Sequence, residues 1–409
     1  MRWAITIIMF LSIEIYAYQA LKTVFKFNWI SKIYILINFY AYLLLSYRIF
    51  YIEFNKLSYS DNFYEYLSIP IAFLIILGSY KLILCFHLIV EDFFRLVIIV
   101  KNSIFSNESI DFSISRRSWI SKMGLLFASI PIPFVIYGIF KGRYDFRVIK
   151  YEIEFDDLPE EFDGYQLTHI SDIHAGSLSN EEKTKYAVDL INKQKSNLVL
   201  FTGDFVNSKS NELLRWENIF SKIKSSDGKF SVLGNHDYGD YVNWESKELK
   251  ENNFKNLLTI QNQMGFKVLL NENIKIKKGA SHITLIGVEN WGKGGFRKSA
   301  DLSKACKGVK NSDFKIMMTH DPSHWDIILR DHKMKFNLTL CGHTHGMQFG
   351  IEIPGFFKWS PVQWVYKHWA GLYLEKNQYV NVNRGFGVLG FPGRVGISPE
   401  ISVIRLKKI

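Results

Sequence analysis

The sequence predicts an α/β domain over residues 146–409, preceded by a helical membrane region over residues 1–145. Three observations carry this reading. Four apolar stretches long enough to cross a bilayer lie before residue 145. Beyond Gly142, short apolar runs alternate with polar segments of helical period. Side chains bearing carboxylate, amide and imidazole groups then follow directly on the ends of those apolar runs.

The apolar stretches occupy residues 3–20, 33–52, 67–90 and 120–140. About 20 helical residues cross a hydrocarbon core of about 30 Å, so each is sufficient. The first resembles a signal peptide, with Arg2 ahead of an apolar run ending in small residues, but the three spans that follow make it an anchor. Trp29, Tyr40, Tyr42, Tyr47, Tyr51 and Trp119 sit near the edges of the runs, where side chains meet headgroups. Lys and Arg flank the two sides almost evenly, so the sequence assigns no side of the membrane to the α/β domain. Lys81 interrupts the third span and is either a functional charge or one that snorkels; His87 and Glu91 share one stripe nearby. Residues 90–100 are amphipathic enough to lie in the interface.

In the second region, strands are expected at 165–170, 198–202, 229–233, 283–288, 314–318 and 338–341. Ser179 with Glu182 reads as a capping box opening a helix to about Lys193, and a second helix is expected over 242–264. Five segments sit at strand ends: SDIH (171–174), TGD (202–204), GNHD (234–237), MTH (318–320) and GHTH (342–345). Loops at the C-terminal ends of strands converge on one rim of a sheet, where groups distant in sequence meet on a rigid base. The glycines before Asp204, Asn235 and His343 provide tight turns and room for backbone to approach a bulky anion.

Asp172, His174, Asp204, Asn235, His236, Asp237, His320, His343 and His345 mix hard oxygens with imidazoles. Such a set suits Mn, Fe, Co or Zn better than Ca, and it is large enough for two metals around one phosphate. Asp204 is the candidate bridge between them. A metal lowers the pKa of bound water to about 7, which supplies a nucleophile without serine or cysteine. His236 is placed to protonate the leaving group, with the Asp237 carboxylate expected to fix its tautomer. Any one of these motifs is a common accident; the set is distinguished by five in order, each at a strand end. His169, His282, His324, His332 and His368 fall outside the pattern and read as structural, His324 being the nearest exception because it lies one helical turn beyond His320.

Read together as D-x-H, GD, GNHD, H and GHxH, these segments resemble the calcineurin-like metallophosphoesterase family over about residues 150–409. The segments LTHISDIHAG, VLGNHDYGDY, MMTHDPSHWD, LCGHTHGMQFG, YVNVNRGFG and SPEISVIRL are similar to the bacterial YkuE/YaeI-type subgroup, some of whose members are membrane-anchored. The resemblance implies a four-layer α/β/β/α sandwich with a dinuclear site at one edge. It implies that Asp172, His174 and His345 bind one metal, Asn235, His320 and His343 the other, that Asp204 bridges them, and that His236 is the proton donor. Where the subgroup commonly reads GHTHGGQ, Met347 replaces the second glycine, altering the adjacent substrate groove. Arg384 and Arg394, in the NRGFG and FPGRVG loops, are candidates for a phosphate clamp, with structural ion pairing as the alternative.

The formal net charge of +11 is shared almost evenly between the two regions with no basic block, which argues against a nucleic-acid partner. Cys85, Cys306 and Cys341 form no CxxC pair, so neither a disulfide framework nor a zinc ribbon is expected. The expectation is therefore a multi-pass protein, of the bacterial cytoplasmic membrane, that uses two Mn, Fe or Zn ions to hydrolyse a phosphodiester or pyrophosphate, the bilayer favouring a lipid-linked substrate. UDP-2,3-diacylglucosamine is one candidate substrate. A non-catalytic membrane sensor using the fold as a binding module is the reading from another class. No oligomeric state follows from the sequence.

Overall fold

The structure, a computed structural model, describes residues 2–25, 28–55, 66–105, 114–353 and 355–409. It divides into a helical unit ending at Tyr137 and an α/β unit running from Gly138 to Ile409. The N-terminal helices are α1 (Arg2–Val24), α2 (Asn28–Phe54), α3 (Ser68–Phe105), α4 (Ile114–Ser129) and α5 (Pro131–Phe140).

Three stretches among the described residues are long and apolar enough to cross a membrane: Trp29–Phe54, Ser68–Lys101 and Arg116–Tyr144. The first expected span is helical as α1 but is not among them, and it carries Glu14 at its middle. The last expected span is two helices instead of one. Pro131 and Pro133 lack an N–H for the preceding turn, and the break falls at Ile130. Residues 90–100 do not turn aside into an interfacial segment either; α3 continues through them as one 38-residue helix.

Lys81 neither snorkels nor stands alone. It is buried and paired with Glu14 of α1, whose carboxylate also accepts from the Tyr42 hydroxyl at 2.7 Å and the Tyr34 hydroxyl at 3.1 Å. An unpaired charge at this depth costs several kcal/mol, which the pair avoids while tying α1, α2 and α3 together. Glu91 is buried among Arg95, Arg116 and Arg117. His87 faces the Ile83 carbonyl and stacks on Phe127.

The α/β unit holds two six-stranded sheets. One contains β1 (Arg147–Phe155), β2 (Gln166–Ile170), β3 (Leu198–Phe201), β4 (Gly228–Ser231), β5 (Phe266–Val268) and β14 (Glu400–Lys408), in the order β1-β14-β2-β3-β4-β5. The other contains β6 (Glu272–Lys278), β7 (Ser281–Gly287), β8 (Lys315–Met318), β9 (Leu338–Cys341), β12 (Gly371–Glu375) and β13 (Gln378–Val382), in the order β12-β13-β9-β8-β7-β6. A separate antiparallel ribbon joins β10 (Ile351–Ile353) to β11 (Phe357–Trp359).

Strand alternation builds the layers. Leu198 and Leu200 of β3 meet Ile316, Met318, Leu338 and Leu340 of the opposite sheet in an inter-sheet core. Val199 and Phe201 point the other way, against the helix Glu181–Lys193 (α6) and the helix Lys247–Gln263 (α7). On the far side, Met317, Cys341 and Val380 pack against Ala305, Trp325 and Leu329. The result is the expected α/β/β/α sandwich. Two helix starts differ from expectation, the first by one capping residue and the second by five residues. Asn180, not Ser179, caps α6 by accepting from the Lys183 N–H, because the Ser179 hydroxyl is bonded to Tyr144. α7 begins after Ser246, whose hydroxyl accepts from the Leu249 N–H.

Candidate metal centre

β2, β3 and β4 run parallel in one sheet and β7, β8 and β9 run parallel in the other, so their C-terminal ends open on shared rims. The two rims are stitched together there. The His343 N–H donates to both oxygens of Asp172, at 3.1 and 2.9 Å. His320 Nδ1 lies 2.7 Å from the Thr202 carbonyl across the same gap. Loops from both sheets are thereby brought to one place.

Asp172, His174 and His345 present donor atoms that all lie within 4.8 Å of one another, and Asp204, His320 and His343 do likewise. His174 Nε2 and His345 Nε2 are 3.1 Å apart, and His345 Nε2 is 3.3 Å from Asp172 Oδ1. In the second group, His343 Nδ1 is 3.2 Å from His320 Nε2, which is 3.1 Å from Asp204 Oδ2. The same Asp204 oxygen is 3.7 Å from His174 Nε2, so it faces both groups.

The donor set fits metals. His320 gives its Nδ1–H to a carbonyl, and His343 Nε2 lies 2.9 Å from the Tyr366 hydroxyl and 3.4 Å from Asp321. Those partners leave the lone pairs of His320 Nε2 and His343 Nδ1 facing each other, an arrangement that requires positive charge between them. Burial lowers the pKa of His320, but the Asp204 carboxylate beside it outweighs this and raises it to about 10. A cation bound here would take the place of that proton. Ligand nitrogens about 2.0–2.1 Å from a metal are separated from one another by about 2.9–3.4 Å at ordinary coordination angles, which is the spacing seen here. Burial also pushes His174, His343 and His345 down, keeping them neutral for coordination. Finally, Asn235 Oδ1 is buried with no partner among the described residues while its Nδ2 donates to Tyr241 at 2.8 Å, leaving an oxygen for a metal.

Five of these residues have left-handed backbone: Asp172 (φ 55°), His174 (φ 47°), Asp204 (φ 62°), His343 (φ 72°) and His345 (φ 50°). Each costs a non-glycine residue of order 1 kcal/mol, so the surrounding bonds hold the donors against local preference. The glycines have a reason other than room for an anion. A Cβ on Gly342 would lie 1.9 Å from Ser171 Oγ and 2.3 Å from Asp172 Oδ2, and one on Gly234 would lie 2.1 Å from Asp204 Oδ1. Backbone approaches ligand carboxylates there. Gly342→Ala is therefore expected to push Asp172 aside and cut metal occupancy and turnover by about 10- to 100-fold, as read by elemental analysis and initial rates.

His236 hangs at the edge of this array, its ring 5.0 Å from that of His174 and 4.6 Å from that of Tyr241. Its backbone N–H donates to Asp204 Oδ1 at 2.9 Å. The expected role of Asp237 in fixing its tautomer is corrected: His236 Nδ1 is held by the Asn207 carbonyl at 2.6 Å, leaving Nε2 free. Asp237 turns the opposite way and accepts from the backbone N–H groups of Asp204, Phe205, Val206 and Gly234. Burial, with Asp204 behind it, pushes this carboxyl up to about 7. Its work is to shape the loop that presents Asp204.

The arginine clamp is corrected as well. Arg384 is nearly buried and bound by Glu400 and Glu352. Arg394 is buried behind His345, with Nη2 2.7 Å from the Gly387 carbonyl and 3.2 Å from His345 Nδ1, and burial pushes it down to about 9. Arg384 is taken up by two carboxylates, whereas Arg394 keeps Nη1 without a partner among the described residues but is only 1% exposed. Asp321, Tyr366, Tyr241 and the Asn207 carbonyl were not singled out from sequence; only Asp321 gave a signal, as the neighbour of His320.

The remaining histidines are held by structural partners. His169 lies 2.9 Å from Thr202 Oγ1, His282 faces Asp313, His332 accepts from the Met334 N–H, and His368 lies between Asp326 and Glu375. His324 is buried against Trp291, 2.9 Å from Thr319 Oγ1, and burial pushes it down to about 3. An unfolded histidine titrates near 6.5, so between these values only the unfolded chain binds the proton. Stability is thus full above about pH 6.5 and lost as pH falls toward 3, by about 2 kcal/mol for this residue at pH 5. Melting temperatures at pH 7.5 and 5 should diverge less in His324→Gln than in the parent.

Comparison with known sequences matches residues 165–347 to the family described as "Calcineurin-like phosphoesterase". Residues 1–143 match "Probable Calcineurin-like phosphoesterase, transmembrane domain". The chain belongs to the calcineurin-like phosphoesterase family. Similar proteins include the uncharacterized metallophosphoesterases YkuE and YkoQ of Bacillus subtilis (strain 168). YkuE is 29% identical over 66% of this chain and 89% of its own length, and YkoQ is 26% identical over 66% and 94%. A transmembrane protein with metallophosphoesterase domain from Danio rerio is 25% identical over 81% of this chain and 72% of its own. This calcineurin-like phosphoesterase is accordingly a membrane protein and a metal-dependent phosphoric ester hydrolase.

Proposed function

We propose that this phosphoesterase is anchored by four membrane passes in a bacterial cytoplasmic membrane and hydrolyses a phosphodiester or pyrophosphate bond in a lipid-linked substrate. The observation that carries the hydrolytic part is the pair of donor groups sharing Asp204, with His236 Nε2 free at their edge. Asp172, His174 and His345 would hold one metal, and Asn235, His320 and His343 would hold the other. Bound metals supply positive charge to the phosphoryl oxygens and acidify water. His236 gives its Nε2 proton to the leaving oxygen, while the Asn207 carbonyl keeps Nδ1–H in place and the ring oriented. Asp237 holds the Asp204 loop, and Asp321 with Tyr366 orients His343.

The lipid clause is supported by chain connectivity: β1 begins at Arg147, a short step after α5 ends at Phe140. Bacterial relatives support the compartment. The full chain in detergent should be assayed against an aryl phosphodiester, an aryl phosphomonoester and a UDP-linked diacyl glycolipid, each with Mn, Zn, Fe or chelator. Turnover of the diester or the glycolipid that chelator abolishes supports the reading. Preference for the monoester overturns the bond class, and bound metal with no turnover on any substrate favours the sensor.

A further inference from the structure

We propose that the β10–β11 ribbon is a membrane-docking element that lays its outer face on the lipid headgroup region beside the metal centre. The ribbon alternates, but in the reverse sense from a hairpin meant for water. Glu352 pairs with Lys358 across it, and both turn inward: Glu352 meets Arg384, while Lys358 donates to the Ala370 carbonyl and to the Tyr373 hydroxyl at 3.0 Å. The neighbouring pair Ile353 and Phe357, with Ile351, is turned outward and exposed. In a strand pair with one face to solvent, charge belongs outside and apolar side chains inside, and a one-residue slip would restore that pattern. The ion pair to Arg384, itself locked to Glu400, fixes the reversed register.

The apolar face extends beyond the strands. Phe356 is 85% exposed and Trp364 is 75% exposed, and Met347 and Phe349 continue the surface back to His345. Aromatic side chains held this far out are the kind that sit at headgroup level. Met347 has φ 55°, a conformation that glycine adopts freely and methionine does not, and its side chain is displayed outward at that cost. The bilayer is the occupant argued for because it is already this chain's partner. Residues 141–146 alone separate α5 from β1, a tether that reaches at most about 20 Å. The ribbon is also fastened to the ligand loop through Ser360, the residue after β11, whose Oγ donates to the Gly346 carbonyl at 2.8 Å. A docked ribbon therefore presents the His343–His345 loop to phosphate at the bilayer surface.

The test uses the full chain in phosphatidylethanolamine–phosphatidylglycerol nanodiscs, with an environment-sensitive fluorophore on Phe356→Cys, Trp364→Cys or, as an exposed control on β12, Leu374→Cys, each in a Cys306→Ser background. Docking predicts that a headgroup-level spin-labelled lipid quenches positions 356 and 364 several-fold more than 374, while aqueous iodide quenches them several-fold less. Iodide reaching 356 as freely as 374 overturns the proposal. Shielding from both quenchers also overturns it, because a protein surface, such as a second copy of the chain, then covers the ribbon. Should Phe356→Cys lower the melting temperature, Ile353→Cys on the same face replaces it. No readout depends on turnover, so failure here leaves the hydrolytic reading standing.

Discussion

Asp204→Asn is expected to empty the centre of metal and to lower turnover by at least about a thousandfold, the kinetic equivalent of the several kcal/mol that metals contribute to phosphoryl transfer. The expectation comes from one oxygen. Asp204 Oδ2 lies 3.1 Å from His320 Nε2 and 3.7 Å from His174 Nε2, so it is common to both donor groups, and an amide cannot supply the negative charge that holds two cations close. The fold should tolerate the change, because the loop is held by the Asp237 carboxylate through four backbone N–H groups, and Asn retains an oxygen to accept from the His236 N–H. Elemental analysis, melting temperature and initial rates on one preparation separate these effects. Full metal content with turnover within tenfold of the parent would show that some other group is the shared ligand.

His236→Ala should behave differently. It is expected to lower turnover by about 10²–10⁴-fold while leaving metal content and melting temperature near the parent's. His236 makes no contact that either donor group needs: its Nδ1 is spent on the Asn207 carbonyl, and its backbone N–H, which survives the substitution, is what meets Asp204. The deficit should also depend on the leaving group. An alkyl diester needs a proton on its departing oxygen and should suffer most, whereas a nitrophenyl ester leaves without one and should suffer least. An equal loss on both substrates would argue that the ring positions substrate instead of donating a proton.

The strands that present the site are legible because β3, β8 and β9 are short, mostly apolar runs that reach Gly203, His320 and Gly342 at once or after a single Thr. The donors were legible for the same reason, since a strand end fixes where the next residues emerge. What was not legible came from distant partners. β14 lies between β1 and β2, pairing parallel to one and antiparallel to the other, and nothing local in either segment announces it. Arg384 reads as a free cation until Glu400 and Glu352 arrive from elsewhere in the chain. Asp237 reads as a partner of His236 because it adjoins it, yet in a tight helical turn consecutive side chains point about 120° apart, so neighbours in sequence face different surroundings. The group that does hold His236 is a backbone carbonyl, which any residue at position 207 would carry.

The left-handed backbone at Asp172, His174, Asp204, His343 and His345 bears on more than geometry. A cation bound by these side chains would favour the folded state alone and so offset that backbone cost, giving the loaded polypeptide stability that the empty one lacks. The supply of that cation would then set how long the folded chain persists as well as how fast it works. Metal-depleted protein should open more often and be cut faster by a protease than metal-loaded protein.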